Sequence, residues 1–378
     1  MIKFLHRPQK LFYGPFAVSM VAAVLTGQPG TAMSAEKARN AGVVELETEG
    51  ASNISVRMAE EIGEIVDDGA TRRVLPVVGP GAVQNFSDLA QLHGIDLAIV
   101  QTDVVDYLRQ QNRLAGSLIY ITKLYNEEFH LLARPDIKSI ADLAGQTVNI
   151  DRPGSGTAIT ATRIFDLLQI NPKVANDTEQ VAFEKLKRGD IAAVAFVAGK
   201  PAPLFDHVDS SQGLHLLSMP LNTKITSAYP PAQITAADYP WLVPQGRAID
   251  TIAIGTVLAV ANLQPTSDRY RNVTNFVETF FTGFQSLLAP GHHPKWRDVN
   301  LAADLPGWKR FPAADQWLRR NAAVAKAPEP DNLKQIFERF IEERLLAGGG
   351  KMSQEQKDDL FNQFQRWQST QRTAKAQE

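Results

Sequence analysis

The chain has 378 residues, no Cys, and 39 Lys and Arg against 41 Asp and Glu, a net charge of −2. The absence of Cys excludes disulfides, thiolate metal sites and cysteine nucleophiles together. A mildly acidic chain without a Lys/Arg run also lacks the electrostatic footprint of a nucleic-acid binder.

Lys3, Arg7 and Lys10 precede an apolar run over residues 16–25. Gly27, Pro29 and Gly30 follow, and then the small residues Ala32, Ser34 and Ala35. That order is the pattern of a secretory signal peptide cleaved near Ala35, so export to the periplasm is expected. The run is far short of the roughly 20 residues of a membrane-spanning helix. No Cys follows it to carry a lipid anchor. Without residues 1–35 the chain holds 36 basic and 41 acidic residues, a net of −5. At this length two ordinary domains with cores of their own are expected.

In chain order, residues 43–47 read as a strand, 48–53 as a small polar loop, and 54–66 as a helix with Ile54, Met58, Ile62 and Ile65 at three-to-four-residue spacing. Residues 73–78 are the next strand, closed by Gly79, Pro80 and Gly81. A helix near 83–92 leads to 95–101, an apolar run suited to a strand buried on both faces. Strands are expected at 118–125 and 129–133, and a short helix at 139–143. The pattern then returns, with strand 147–150, loop 151–156 and helix 157–168. A helix at 183–187, a buried strand at 191–197, a strand at 251–260 and an aromatic-rich helix at 270–288 complete the alternation. Alternating elements of this kind argue for α/β layers with mostly parallel sheets. From Pro294 on, β-forming residues thin out and Trp296, Trp308, Phe311 and Trp317 stand among charges. Helices are expected at 332–346 and at 353–367, where Ser353 and Gln356 form a capping pattern. The tail is expected to pack back on one domain.

Two polar clusters stand out. Pro153, Gly154, Ser155, Gly156 and Thr157 lie between a strand and a helix, where free N–H groups at the helix start favour negative charge. Ser155 and Thr157 can cap that helix and also donate to a carboxylate. Gln101, Thr102 and Asp103 follow a buried strand, the place where open α/β sheets bind ligands, although for Asp103 taken alone the expected job is to cap the next helix. His292 and His293 are adjacent and cannot easily face one ion. His93, His130, His207 and His215 are isolated, and no metal site is expected. No Gly-x-Ser-x-Gly elbow or Ser-His-Asp set appears, so no catalytic residue, enzyme activity or cofactor is expected.

Taken together, five stretches resemble the TAXI-type solute receptors of TRAP transporters, a branch of the periplasmic binding proteins. They are "GPGAVQNFSDLAQLHGIDLAIVQTDVV" at 79–105, "LYNEEFHLLA" at 124–133, the segment 140–157 ending in Gly-Ser-Gly-Thr, 186–203, and 248–260. The likeness covers roughly residues 43–288. It implies an α/β fold of the type II periplasmic-binding-protein kind, with two α/β lobes, a hinge, and a helical C-terminal extension outside the likeness. It assigns residues 36–140 and 248–293 to the first lobe, 141–247 to the second, and 294–378 to the extension. It implies capture of a small organic anion, a carboxylate or acidic amino acid, by a monomer that delivers it to TRAP-type membrane transporter subunits. The implied pocket residues are Ser52, Asn53, Asn85, Gln101, Asp103, Tyr125, Glu127, Ser155, Gly156 and Thr157. This chain departs from the family at the first loop, where Thr48-Glu49-Gly50-Ala51-Ser52-Asn53 replaces a glycine-rich Thr-Gly-Gly-x-Gly-Gly. Ala82 and Ala192 stand where Ser and Asp are usual. The altered loop and the extra tail leave a second expectation open: a ligand sensor or scaffold of the same fold that docks on a membrane partner.

Overall fold

Strands buried on both faces carry near-continuous apolar runs, and Leu97–Gln101, buried at every position, is one. The computed structural model describes residues 42–50, 53–92, 94–111, 118–205, 208 and 213–321. In it β1 (Val43–Thr48), β2 (Arg73–Val78) and β3 (Leu97–Gln101) are parallel, in the order β2-β1-β3. Helices α1 (Ile54–Val66), α2 (Ala82–Gln91) and α3 (Thr102–Gln110) start within a few residues of their strands. Three strand ends and three helix starts therefore gather at one edge of the sheet.

The second lobe repeats the plan. β5 (Thr147–Asn149), β6 (Lys173–Ala175) and β7 (Ala193–Ala198) are parallel, with α4 (Gly156–Leu168) and α5 (Glu179–Arg188) between them. Short elements fill in around them: β8 (His215–Leu216), α6 (Thr223–Ala228) and β9 (Pro231–Thr235).

Two long antiparallel strands, β4 (Leu118–Ala133) and β10 (Ala248–Val260), join the lobes, and the path runs β2-β1-β3-β10-β4-β7-β5-β6. The centre of the sheet is thus antiparallel, where the sequence suggested a mostly parallel one. β4 is also one strand of 16 residues rather than two. Asn126, Glu127 and Glu128 interrupt its apolar pattern, yet they pair with Gly255, Ile254 and Ala253 and carry the ladder across. On the first-lobe side of these polar residues Tyr125 and Leu258 join one core, with Leu46, Met58, Phe276 and Phe280. On the other side Phe129, Ile252 and Ile254 join a second core, with Val148, Ile164 and Phe165. The residues that broke the pattern mark the crossing between lobes.

Beyond β10, α7 (Asp268–Gly283) runs into a 3-10 turn at Phe284–Leu288, which shortens the helix expected over 270–288. The described part of the tail packs on the first lobe, where Trp296, Phe311 and Trp317 are buried. It is not wholly helical: β11 (Trp308–Arg310) pairs in parallel with the start of β4 before α8 (Pro312–Arg320). The segments 1–35, 332–346 and 353–367 lie outside the described residues. Among the described residues no helix is long and apolar enough to cross a membrane.

Candidate functional site

The helix starts of both lobes meet beside the crossing of β4 and β10, and a carboxylate of the chain itself binds the N–H groups there. Ser155 caps α4, its Oγ accepting from the Ala158 N–H at 3.1 Å. The Gly156 N–H is left at the helix start, a position that favours negative charge. Glu49 takes it: its Oε1 accepts from the Gly156 N–H at 2.8 Å and from the Ala82 N–H at 3.1 Å. One carboxylate oxygen so ties the first turn of α2 to the first turn of α4. A Cβ at Gly156 would stand 1.6 Å from Gln101 Oε1, so any larger residue there must displace the Gln101 amide. Beside this link the Val83 N–H donates to the Gly154 carbonyl at 3.1 Å.

The other implied pocket residues fall into two groups. Asn85 and Thr157 serve the framework. Asn85 Nδ2 donates to the Thr48 carbonyl at 3.0 Å, and its Oδ1 accepts from the Gly81 N–H at 3.2 Å, which fixes the loops after β1 and β2. Thr157 Oγ1 accepts from the Val197 N–H at 3.0 Å and so docks α4 on β7. Ser52 lies outside the described residues. Asn53, Gln101, Tyr125 and Glu127 gather at the crossing. Asn53 caps α1 by accepting from the Ser55 N–H at 3.0 Å and also hydrogen-bonds Glu127. Gln101 Nε2 donates to Glu127 Oε2.

Asp103 does not cap its own helix by its side chain; it latches the lobes. Its Oδ2 accepts from Thr160 Oγ1 on α4 at 2.6 Å and from the Tyr229 hydroxyl at 3.0 Å. The Arg163 guanidinium lies 5.2 Å from the centre of the Tyr229 ring. Burial raises the Asp103 carboxyl above its usual range, and these partners oppose that rise.

Charge at the crossing is one-sided. Glu127 is 2 % exposed, and burial followed by the charge of Glu49 pushes its carboxyl up to about 8. Burial pushes Glu49 up to about 7; the Gly156 N–H opposes this while Asp151 and Glu179 add to it. Burial and the Glu127 charge hold the Tyr125 phenol well above its ordinary value. Among the described residues no ion pair reaches Glu49 or Glu127. Gln101 Oε1, Asp103 Oδ1 and the Tyr125 hydroxyl are buried without a hydrogen-bond partner.

The space left is small. A void of about 20 Å³ lies between the lobes, bordered by Glu49, Asn53, Asp151, Ser155 and Glu179. A wider groove of about 540 Å³ runs between α3 and α4, past Asp103, Tyr107, Ile159 and Arg163. The described histidines serve structure. His130 is buried with its pKa lowered to about 3, and its Nε2 meets the Tyr239 hydroxyl at 2.9 Å. His293 Nδ1 accepts from the Lys295 N–H at 3.2 Å. Glu49 was absent from the sequence-derived set, and so were Thr160 and Tyr229. The one available signal was the first loop, where a carboxylate side chain replaces glycine.

Comparison with solved structures finds the alkanesulfonate-binding protein SsuA from Xanthomonas axonopodis pv. citri bound to MOPS. It is 13 % identical, with 81 % of this chain and 94 % of that one covered and a TM-score of 0.42. The periplasmic aliphatic sulphonate binding protein SsuA from Escherichia coli is 17 % identical, with coverages of 80 % and 88 % and a TM-score of 0.39. A TctC solute binding protein from Polaromonas is 15 % identical, with coverages of 65 % and 88 % and a TM-score of 0.36. Residues 53–289 match the NMT1-like family, a stretch that starts after β1 and takes in Asn53, Gln101, Asp103, Tyr125, Glu127 and Gly156 but not Glu49. With that match and its two-lobed α/β fold of the periplasmic-binding-protein type, the chain belongs to the NMT1-like family.

Proposed function

We propose that this chain is a periplasmic solute-binding protein that captures a small organic solute at the lobe junction and delivers it to a TRAP-type membrane transporter, without chemistry on the solute. The observation that carries the reading is the set of buried polar atoms without partners: Gln101 Oε1, Asp103 Oδ1 and the Tyr125 hydroxyl. Each such atom costs about 1–3 kcal/mol when unsatisfied, and a solute's polar end relieves that cost. The TAXI-like motifs support the transporter partner, and the basic, apolar and small-residue order of residues 1–35 supports export. On this reading residues 36–140 and 248–293 form the first lobe, 141–247 the second, and 294–378 an extension. A carboxylate-bearing solute reaches the start of α4 only by displacing Glu49 from Gly156.

The test is native mass spectrometry of the full-length protein after gentle release from the periplasm. One small molecule per chain is expected. Gln101→Leu combined with Tyr125→Phe is expected to weaken rebinding of that molecule by about tenfold or more. A chain that carries nothing and binds nothing in its own periplasmic extract removes the reading.

One observation favours a second reading, a sensor or scaffold docked on a membrane partner. Glu49 and Asp103 join the lobes through the chain's own groups, an arrangement that suits a signalling state held closed without solute. Deletion from Pro328 onward separates the two. Loss of a membrane partner with solute binding intact supports the sensor, and unchanged partners oppose it.

A further inference from the structure

Six hydrogen-bond donors at the junction are already used by the chain itself. The Gly156 and Ala82 N–H groups both point to Glu49. Gln101 Nε2 and the Asn53 side chain both serve Glu127. The Thr160 and Tyr229 hydroxyls both serve Asp103. Two of the three atoms left over are of the other kind. Gln101 Oε1 and Asp103 Oδ1 can only accept, and the buried Tyr125 hydroxyl has no partner. Gln101 Oε1 stands against the backbone of Gly156, at the very helix start that Glu49 occupies. The Tyr125 hydroxyl is faced by Glu127 and Glu49.

The nearest cations are engaged elsewhere. Lys295 Nζ lies 2.5 Å from Glu128, Lys200 Nζ lies 3.0 Å from Asp238, and Arg163 sits over Tyr229. Arg152 is half exposed and pairs loosely with Asp151 at 3.8 Å. An incoming anion would thus meet carboxylates and orphan acceptors, and among the orphan groups at the junction only the Tyr125 hydroxyl is able to donate to it. An incoming N–H group would satisfy them. The void of about 20 Å³ beside Glu49 and Asn53 is large enough for one water-sized group, which is also the size of an ammonium head.

We infer that the junction takes the cationic amine end of its solute, while Glu49 occupies the seat that the start of α4 would otherwise offer to a carboxylate. This rests on the solute-capture reading and names its ligand class. Glu49 and Asn53, which border the void, receive the amine protons, and Glu127, hydrogen-bonded to Asn53 and to Gln101, backs them at the crossing. The bulk of the solute extends toward the open side of the cleft as the lobes part. Glu49 then plays two parts. It closes the lobes in place of a ligand carboxylate, and an arriving ammonium favours its ionised form at the amine site.

Thermal-shift titration of the full-length protein at constant ionic strength tests this, with putrescine and agmatine as amine probes, succinate as the carboxylate probe and MgCl2 as the inorganic cation. Wild type is expected to gain several degrees with an amine probe and nothing with succinate or MgCl2. Glu127→Gln is expected to weaken the amine response tenfold or more. Glu49→Gly, which uncovers the Gly156 and Ala82 N–H groups, is expected to gain a response to succinate. A gain of binding cannot come from misfolding, so that variant reads the seat itself. The inference is overturned if wild type answers to succinate or MgCl2 in place of the amines, if no probe shifts it, or if Glu49→Gly gains nothing. Succinate binding by wild type would leave solute capture standing while removing the amine assignment. Failure of capture itself is read separately, from the absence of any co-purified small molecule.

Discussion

Glu127 and Glu128 are neighbours on β4, and because successive side chains on a strand point to opposite faces they meet different worlds. Glu128 Oε1 is 2.5 Å from Lys295 Nζ, and its Oε2 accepts from the Lys200 N–H at 3.2 Å. Burial works against the Lys295 ammonium, but Glu128 and Asp298 outweigh it and its pKa is raised. Both members of the Glu128–Lys295 pair are buried, so the pair is costly to break from one side. Lys295→Met leaves Glu128 buried without its ammonium and is expected to destabilise the chain by about 3–5 kcal/mol. Lys295→Met with Glu128→Gln is expected to recover much of that loss, because the stranded charge is gone. Urea unfolding of the two variants measures both, and equal losses would show that the pair acts through packing alone. Glu127 has no such cation, and that difference separates a structural acid from one that belongs to the site.

At the scale of elements, apolar pattern located β1, β2, β3, α1 and α4 to within a residue or two, since each carries a repeating apolar face or, in β3, an unbroken apolar run. It failed where function or distance interrupts the pattern. The middle of β4 was lost because Asn126, Glu127 and Glu128 are polar at the crossing. The three-residue β11 was lost because it is too short to show alternation. Glu49 was missed as a site residue because its partners, Ala82 and Gly156, lie 33 and 107 residues away, and no local spacing encodes that meeting. The tail shows the same limit. Trp296 lies in a short 3-10 turn (Pro294–Asp298) with no apolar period, yet it is fully buried. Its indole N–H donates to Glu61 Oε2 at 2.5 Å, and its ring sits 6.1 Å from Phe284 and 6.2 Å from Phe280. The segment is therefore part of the first lobe's core. Trp296→Ala is expected to cost about 3–5 kcal/mol in the same unfolding measurement, the range for a large buried aromatic. A loss below about 1 kcal/mol would make the turn an ornament on the lobe.

At the scale of the whole molecule, the junction writes a pH dependence whose sign can be worked out. Burial is the first cause of raised pKa values in Glu45, Glu47 and Glu49, each to about 7, and in Glu127, to about 8. Their ordinary value is 4.5, so between there and about 8 the folded chain holds protons that the unfolded chain has released. Stability therefore falls as pH rises through that window and levels off above it. Two buried histidines act in the opposite sense. Burial lowers His130 to about 3 and His293 to about 4, so their contribution is complete above 6.5 and is lost as pH falls below it. Between pH 6.5 and 8 these histidines add no slope and the raised carboxylates pull stability down. The thermal midpoint of wild type is expected to be lower at pH 8.5 than at pH 6.5 under constant ionic strength. Glu127→Gln is expected to flatten that slope, because the amide keeps the shape of the neutral acid and releases no proton. Scanning calorimetry of the two proteins at both pH values decides the matter. A midpoint that rises with pH in wild type, or an unchanged slope in Glu127→Gln, would mean that the charges at the crossing are compensated by groups other than those facing it.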